Sequence, residues 1–286
     1  VTPNGERIEV VHSDEINKVD WQKYEVDCVV EATGVKANVV ASSKLIADGQ
    51  CGYVFVTHAP GADVDFTMVL AANHEQLDVS KHKIIATSIC DATALAPVME
   101  CLDREVGIAS GQVTTLHPWL SYQNLMDGAS SSWSVPGDIY HHYALGRAAI
   151  GNLIPKPTSA ITATTEVMSR VREEQIGSFS YRTPTAIVGS ANLTLQMESD
   201  VTVDQVHETL QNFTDAQQWQ ILNLMNDPLV SLDFVNDKHS AVVDTRWTSI
   251  VGGNLLNLVL WYDNEAGYSL RVIDQIRYVF DQVRAA

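Results

Sequence analysis

Residues 1–90 alternate short apolar runs with polar stretches of helical composition. Asp27–Val30, Gly52–Thr57, Val69–Ala72 and Lys83–Ala86 predict strands, and Asn38–Ala47 predicts a helix between the first two. Strands that alternate with helices imply parallel strands joined by crossovers, as in half of a doubly wound sheet. Small-residue loops, Ala32-Thr33-Gly34 and Thr57-His58-Ala59-Pro60-Gly61, follow two of these strand ends, where such sheets bind ligands. After Cys90 the period changes. Ala92–Val106 predicts a helix, and Val113–His117, Ile187–Met197, Val230–Val235, His239–Thr245 and Asn254–Tyr262 have the two-residue period of antiparallel strands, with Thr202–Asn212 and Ala216–Asn226 as helices. The last helix, Ser269–Val283, repeats apolar residues every three or four positions at Leu270, Ile273, Ile276, Val279 and Phe280, which predicts one packed face. The expected fold class is therefore α/β followed by α+β.

A chain of 286 residues has the length of two domains. No apolar run approaches the roughly 20 residues that span a bilayer, so no membrane partner is expected. A net charge of −17 repels phosphate backbones and speaks against nucleic acid. The four cysteines, Cys28, Cys51, Cys90 and Cys101, are widely spaced without a CxxC pair, which suits a reducing compartment better than a disulfide framework or a metal site. Cytoplasm is the expected location. The stretch Ser121–Tyr143 is rich in Ser, Gly and Asp yet carries Tyr122, Trp133, Tyr140 and Tyr143, the composition of a long functional or interface loop.

The chemistry gathers at Cys90, where the strand-like run Lys83–Ala86 gives way to the helix-like run from Ala92. A cysteine at a helix N-terminus sees unpaired backbone N–H groups and the positive end of the helix dipole, both of which favour thiolate. An imidazole such as His117 can take the thiol proton. The competing reading is a buried cysteine packed as a small hydrophobe.

The neighbouring blocks favour the first reading. Ser88–Pro97 resembles the cysteine loop of the glyceraldehyde-3-phosphate dehydrogenase family, with Cys90, Leu95, Ala96 and Pro97 in register. Val113–His117, Asn152–Pro155 leading to Thr158, and Trp261–Glu265 with Gly267, Tyr268, Ser269 and Arg271 agree in order, and Glu31–Gly34 and Ala72–Glu75 are similar to the family's cofactor half. The resemblance implies oxidation of an aldehyde, such as glyceraldehyde 3-phosphate, through a thioester on Cys90, with His117 as acid and base and hydride transfer to NAD or NADP. It further implies phosphate binding by Thr158, Arg182 and the position of Asp91, and cofactor binding by Thr33, Gly34, His58, Asn264 and Tyr268. A homotetramer acting on a small-molecule aldehyde is implied by resemblance alone. The implied domains are an incomplete Rossmann-like dinucleotide-binding domain over 1–90, completed by the helix in 264–286, and an α+β catalytic domain over 91–263.

Departures from the family pattern are concentrated around the nucleophile. Ile89 and Leu120 stand where the family has hydroxyl donors, Asp91 where it has a threonine, and Thr93 where it has an asparagine. A carboxylate at Asp91 repels phosphate, by roughly 4 kcal/mol for unit charges about 4 Å apart at an effective dielectric near 20, and raises the thiol of Cys90. The plainer reading of Asp91 is a helix N-terminal cap. Val1–Glu6 resembles a point well inside the family's cofactor domain, so the resemblance implies that the glycine-rich phosphate-cradling unit is absent from this sequence, as in a fragment, a chain completed by another polypeptide, or a segment lying upstream of Val1. Two other readings follow: a non-catalytic relative acting as a binding subunit, and a cysteine hydrolase or acyl transferase that works without a dinucleotide.

Overall fold

The computed structural model describes residues 4–58, 61–121, 123–128, 131–135, 138–141 and 143–285, and the side chains of 131–143 lie outside that description. Val1–Pro3, Ala59, Pro60, Tyr122 and His142 also lie outside the described residues, as do the aromatic side chains expected to mark the 121–143 stretch.

The first half builds a four-stranded sheet in the order β1-β2-β4-β3, from β1 (Cys28–Glu31), β2 (Tyr53–Val56), β3 (Phe66–Thr67) and β4 (Ile84–Ala86). All its pairings are parallel. Helix α1 (Lys36–Ala47) is the crossover from β1 to β2. Strand β2 is buried on both faces: Val54 and Val56 pack with Val39 and Leu45 of α1. Tyr53 and Phe55 pack on the opposite face against Val279 of the last helix, α6 (Ala266–Ala285). That two-sided burial explains why β2 reads as a continuous apolar run rather than an alternating one.

The second half is an eight-stranded mixed sheet against helices. Its elements are α2 (Cys90–Glu105), β5 (Ile108–His117), β8 (Ile154–Lys156), α4 (Ala160–Glu166), β9 (Ile176–Arg182), β10 (Gly189–Met197), α5 (Val203–Ala216), β11 (Leu222–Met225), β12 (Ala241–Asp244), β13 (Ser249–Val251) and β14 (Leu255–Tyr262). The order is β11-β12-β14-β10-β5-β9-β8, with β13 on β14. Alternate residues of the central strands, Ala191, Leu193 and Leu195 on β10 and Leu256, Leu258 and Leu260 on β14, meet Leu95, Val98, Met99 and Leu102 of α2 and Val206 and Leu210 of α5 in one core. Each of these leucines, valines and methionines contributes about 1.5–3 kcal/mol by burial. A separate hairpin, β6 (Ser131–Val135) and β7 (Asp138–His141), followed by α3 (Tyr143–Gly146), lies within the segment predicted as a loop.

Several expectations are corrected. Ala216–Asn226 is not a helix: α5 runs on to Ala216, and Gln217 then ends it by bonding Ile221 N, Leu222 N and Leu222 O, so Leu222–Met225 pairs with β12 instead. Val230–Val235 is not a strand. Asp233 Oδ2 accepts from Val230 N at 2.8 Å and winds Ser231–Phe234 into a 3₁₀ turn that buries only Phe234. Val69–Ala72 is a turn, since Asn73 accepts from Val69 N and donates to Thr67 O, while the strand lies just before it at Phe66–Thr67. The second sheet is mixed rather than antiparallel, because β5–β9 and β11–β12 are parallel. Strands β8, β9 and β13 and helix α4 are additions to the predicted pattern.

Helix α6 packs part of the apolar repeat, with Ile276 and Phe280 half-buried beside Val279 against Tyr53 and Phe55. Val279 is buried as expected, but Ile273 is exposed, and Arg271 and Gln275 turn inward. Arg271 binds Asp274 Oδ2 at 2.6 Å and also donates to Gln220 O. Gln275 is fully buried, and neither its Nε2 nor its Oε1 has a hydrogen-bond partner among the described residues. A buried polar group without a partner costs about 1–3 kcal/mol. Gln275→Leu, similar in size and free of polar atoms, is expected to raise the unfolding free energy by about 1–2 kcal/mol in urea titrations; a loss of stability would show that the amide is satisfied in solution.

Candidate active site

The mixed sheet and α2 converge on one end. Strand β5 ends at His117, and its parallel register with β9 sets Arg182 directly beside it. Antiparallel pairing of β8 with β9 places Ile154 opposite Arg182 and Lys156 opposite Ser180. Strand β10 carries Gly189 opposite Tyr262 of β14 and Ser190 opposite Leu116 of β5, so Tyr262 arrives at the same end. A Cβ on Gly189 would lie 2.7 Å from the Tyr262 ring, so glycine is what lets this tyrosine lie flat across the strand end.

Cys90 is the first residue of α2, on the turn that leaves β4. The turn is tight: Ser88, fully buried, has φ of 60°, a left-handed conformation that costs a non-glycine residue energy. Tyr268 Oη donates to Ser88 O at 2.9 Å and lies 2.9 Å from Thr87 Oγ1, which ties α6 to the backbone just ahead of the cysteine. The N-cap position is held by Ile89, whose side chain makes no capping bond. The first-turn N–H groups are therefore left to the Cys90 sulfur and its surroundings, as expected for a nucleophile at a helix N-terminus.

Cys90 is partly buried. Burial pushes it above the ordinary thiol range and the Asp91 charge adds to this, while the backbone N–H groups of Asp91 and Cys90 and the Arg182 charge offset only part. Asp91 is not a cap. Its carboxylate, 5% exposed, turns inward, with His117 Nε2 at 3.0 Å from Oδ1 and 3.1 Å from Oδ2, and Tyr262 Oη donating to Oδ1 at 2.6 Å. Burial alone raises this carboxyl, but His117, the Tyr262 hydroxyl and the Lys156 charge outweigh it and hold it below its ordinary value. An ionised carboxylate only accepts, so His117 presents Nε2–H to it. No hydrogen bond joins Cys90 to His117 among the described residues.

The remaining predicted residues divide between this centre and the parallel sheet. Arg182 Nη1 donates to Pro118 O at 2.7 Å, next to His117. Thr158 follows β8, and its Oγ1 accepts from Ala160 N at 3.2 Å, where α4 begins. Asn264 joins β14 to α6, and its Oδ1 is buried without a hydrogen-bond partner among the described residues. Thr33, Gly34 and His58 lie elsewhere, beyond the carboxyl ends of β1 and β2. There Thr33 N donates to Glu31 Oε1 at 2.9 Å, Thr33 Oγ1 bonds the same oxygen, Gly34 takes φ of 71°, and His58 Nδ1 lies 3.7 Å from Glu31 Oε2.

Two residues of the centre were not singled out from the sequence. Lys156, whose ammonium is lowered by burial and by the Arg182 charge, adds a second cation facing Asp91 and Cys90. Its signal was its place two residues before Thr158. Tyr262 stood in a recognised block, but its bond to Asp91 depends on β14 ending beside β10.

A family model for the C-terminal domain of glyceraldehyde 3-phosphate dehydrogenase matches residues 89–264, a span that holds Cys90, His117, Arg182 and Tyr262. The chain belongs to the glyceraldehyde-3-phosphate dehydrogenase family. Glyceraldehyde-3-phosphate dehydrogenase 2 of Bacillus subtilis is 34% identical over 278 residues, covering 96% of this chain and 77% of the relative. Glyceraldehyde-3-phosphate dehydrogenase 1 of Bacillus cereus is 30% identical, covering 98% and 80%, and glyceraldehyde-3-phosphate dehydrogenase 4 of Caenorhabditis elegans is 32% identical, covering 96% and 77%. Cys90 opens α2 inside the family-matched span, and the residue after it is an inward-turned carboxylate. Among the described residues no helix is long and apolar enough to cross a membrane.

Asp91 links stability to acid. Its folded carboxyl lies below the unfolded value, so the stabilisation it contributes is present above about pH 4 and fades as pH falls through the folded value. The urea midpoint of the native chain is expected to fall more steeply below pH 4 than that of Asp91→Asn; equal slopes would place the acid-sensitive group elsewhere.

Proposed function

We propose that this chain is an oxidoreductase of the glyceraldehyde-3-phosphate dehydrogenase type, oxidising a small phosphorylated aldehyde through Cys90 with NAD or NADP as hydride acceptor. The observation that carries the reading is a partly buried cysteine at the first residue of α2, inside the family-matched span, with Arg182 and Lys156 as cations around it. In this reading residues 1–90 with 264–286 form an incomplete Rossmann-like dinucleotide domain, 91–263 form the catalytic domain, and the assembly is a homotetramer in the cytoplasm.

The chemistry follows from the charges. Cys90 Sγ adds to the aldehyde carbon, giving a thiohemiacetal whose oxygen takes a proton. His117 takes that proton back as the carbon is oxidised, and Arg182 and Lys156 draw the substrate's anionic end to the sheet edge. A bound nicotinamide supplies the hydride acceptor for this oxidation. The residues present fit that group: Asn264 Oδ1 is a buried acceptor without a partner among the described residues, suited to a carboxamide N–H, and Tyr268 anchors the adjoining backbone. Thr33, Gly34 and His58 would hold the remainder of the dinucleotide. The acyl group then passes from Cys90 to an acceptor, regenerating the thiol. One observation favours a binding subunit instead: His117 Nε2 is engaged by Asp91 rather than by Cys90.

Turnover decides between them. Purified chain with glyceraldehyde 3-phosphate, inorganic phosphate and NAD⁺ or NADP⁺ is expected to reduce the dinucleotide, with Cys90→Ser at least about a thousandfold slower in kcat/KM. Arg182→Ala is expected to raise KM for the phosphorylated aldehyde about tenfold or more. No reduction of either dinucleotide, by protein that binds one of them, would sink the dehydrogenase reading.

A further inference from the structure

The residue after the nucleophile accepts the shortest hydrogen bond of the centre, 2.6 Å from Tyr262 Oη. We propose that Asp91 is a positioning residue that holds His117 as an Nε2–H donor, so that Nε2 receives the Cys90 proton only when the Asp91 contact is released. The inference rests on Cys90 being the nucleophile of the reading above, and goes beyond it by assigning what controls that nucleophile.

Three features carry it. The Tyr262–Asp91–His117 chain is closed and buried, with Tyr262 2%, Asp91 5% and His117 8% exposed, so water competes weakly for the carboxylate. Tyr262 Oη fills one side of the carboxylate at 2.6 Å and leaves His117 as its other partner. A nitrogen that donates to Asp91 has no lone pair free for a thiol proton. Every element around the centre supplies a group that acts on this balance. Asp91 comes from α2, His117 from β5, Lys156 from β8, Arg182 from β9, Tyr262 from β14 and Tyr268 from α6. Lys156 and Arg182 are positive, the two tyrosines stay neutral, and Asp91 is the anion that competes with Cys90 for His117 Nε2. In the resting chain Asp91 wins, and the proton stays on sulfur.

Alkylation of Cys90 by iodoacetamide, followed by the mass of the Cys90 peptide across pH, reads this directly. That readout separates Cys90 from Cys28, Cys51 and Cys101. Asp91→Asn removes the anion and keeps the shape. It is expected to speed Cys90 alkylation about tenfold at neutral pH and to move the reactive limb to lower pH, since one unit in thiol pKa is about tenfold in thiolate. Asp91→Asn combined with His117→Gln is expected to lose the gain. An unchanged profile in Asp91→Asn overturns the proposal. A gain that survives in the double variant also overturns it, because the carboxylate would then act on sulfur by charge alone. If Asp91→Asn does not fold, by circular dichroism and melting, Tyr262→Phe serves. Without the phenol the carboxylate grips His117 harder, so alkylation slows; an equal or faster rate overturns the proposal. No aldehyde or dinucleotide enters the assay, so an absence of dehydrogenase turnover leaves the result standing, and an unaltered alkylation profile leaves the dehydrogenase reading standing.

Discussion

The active end of the molecule depends on strand β10 being paired along both edges. Its ladder with β5 runs from Ser190 with Leu116 to Met197 with Ile108, and its ladder with β14 runs from Gly189 with Tyr262 to Gln196 with Leu255. Because side chains alternate along a strand, a slip of one residue in either ladder would send His117 or Tyr262 to the opposite face. The alternating leucines of β10 and β14, buried against α2, resist such a slip. The same packing holds α2, whose first turn carries Cys90 and Asp91. The core therefore fixes the strand ends and the helix start together, and the hydrogen bonds between them form at no further ordering cost.

Within that frame the electrostatics are contested rather than uniformly activating. A helix N-terminus and two cations favour thiolate at Cys90, while burial and an adjacent carboxylate oppose it, and the opposing effects prevail. This differs from a nucleophile armed at rest. The same carboxylate is satisfied by Tyr262 and His117, so its own burial is compensated, and the electrostatic cost falls on the thiol instead.

Much of this was legible along the chain, for identifiable reasons. Cys90 was visible because a buried parallel strand and a long apolar helix meet at one residue, a boundary that composition alone marks. β10 and β14 were visible because one face of each is core and the other is not. Strand β9 escaped because Ile176-Gly177-Ser178-Phe179-Ser180-Tyr181 buries only Ile176 and Ser180, so its apolar period is broken although its pairing is complete. The 3₁₀ turn at Ser231–Phe234 and the turn at Val69–Ala72 were misread because each carries β-branched or apolar residues. A single side-chain bond, from Asp233 or Asn73, outweighs that propensity.

Asp91 shows most sharply where one-dimensional reasoning stops. Its charge, and the direction in which that charge shifts the cysteine, follow from the residue's identity and its position beside Cys90. Its orientation does not, because the choice between capping the helix, facing an anion and gripping His117 is made by residues 26 and 171 positions away. The Tyr262 hydroxyl tips that choice, since a carboxylate already held on one oxygen by a buried phenol loses less by leaving water than one exposed at a helix start. Tyr262 reaches it only because Gly189 has no side chain to push the ring aside. The protonation state of the thiol is thus set by a glycine on the neighbouring strand, through a tyrosine and a carboxylate, and no local window around Cys90 contains that information.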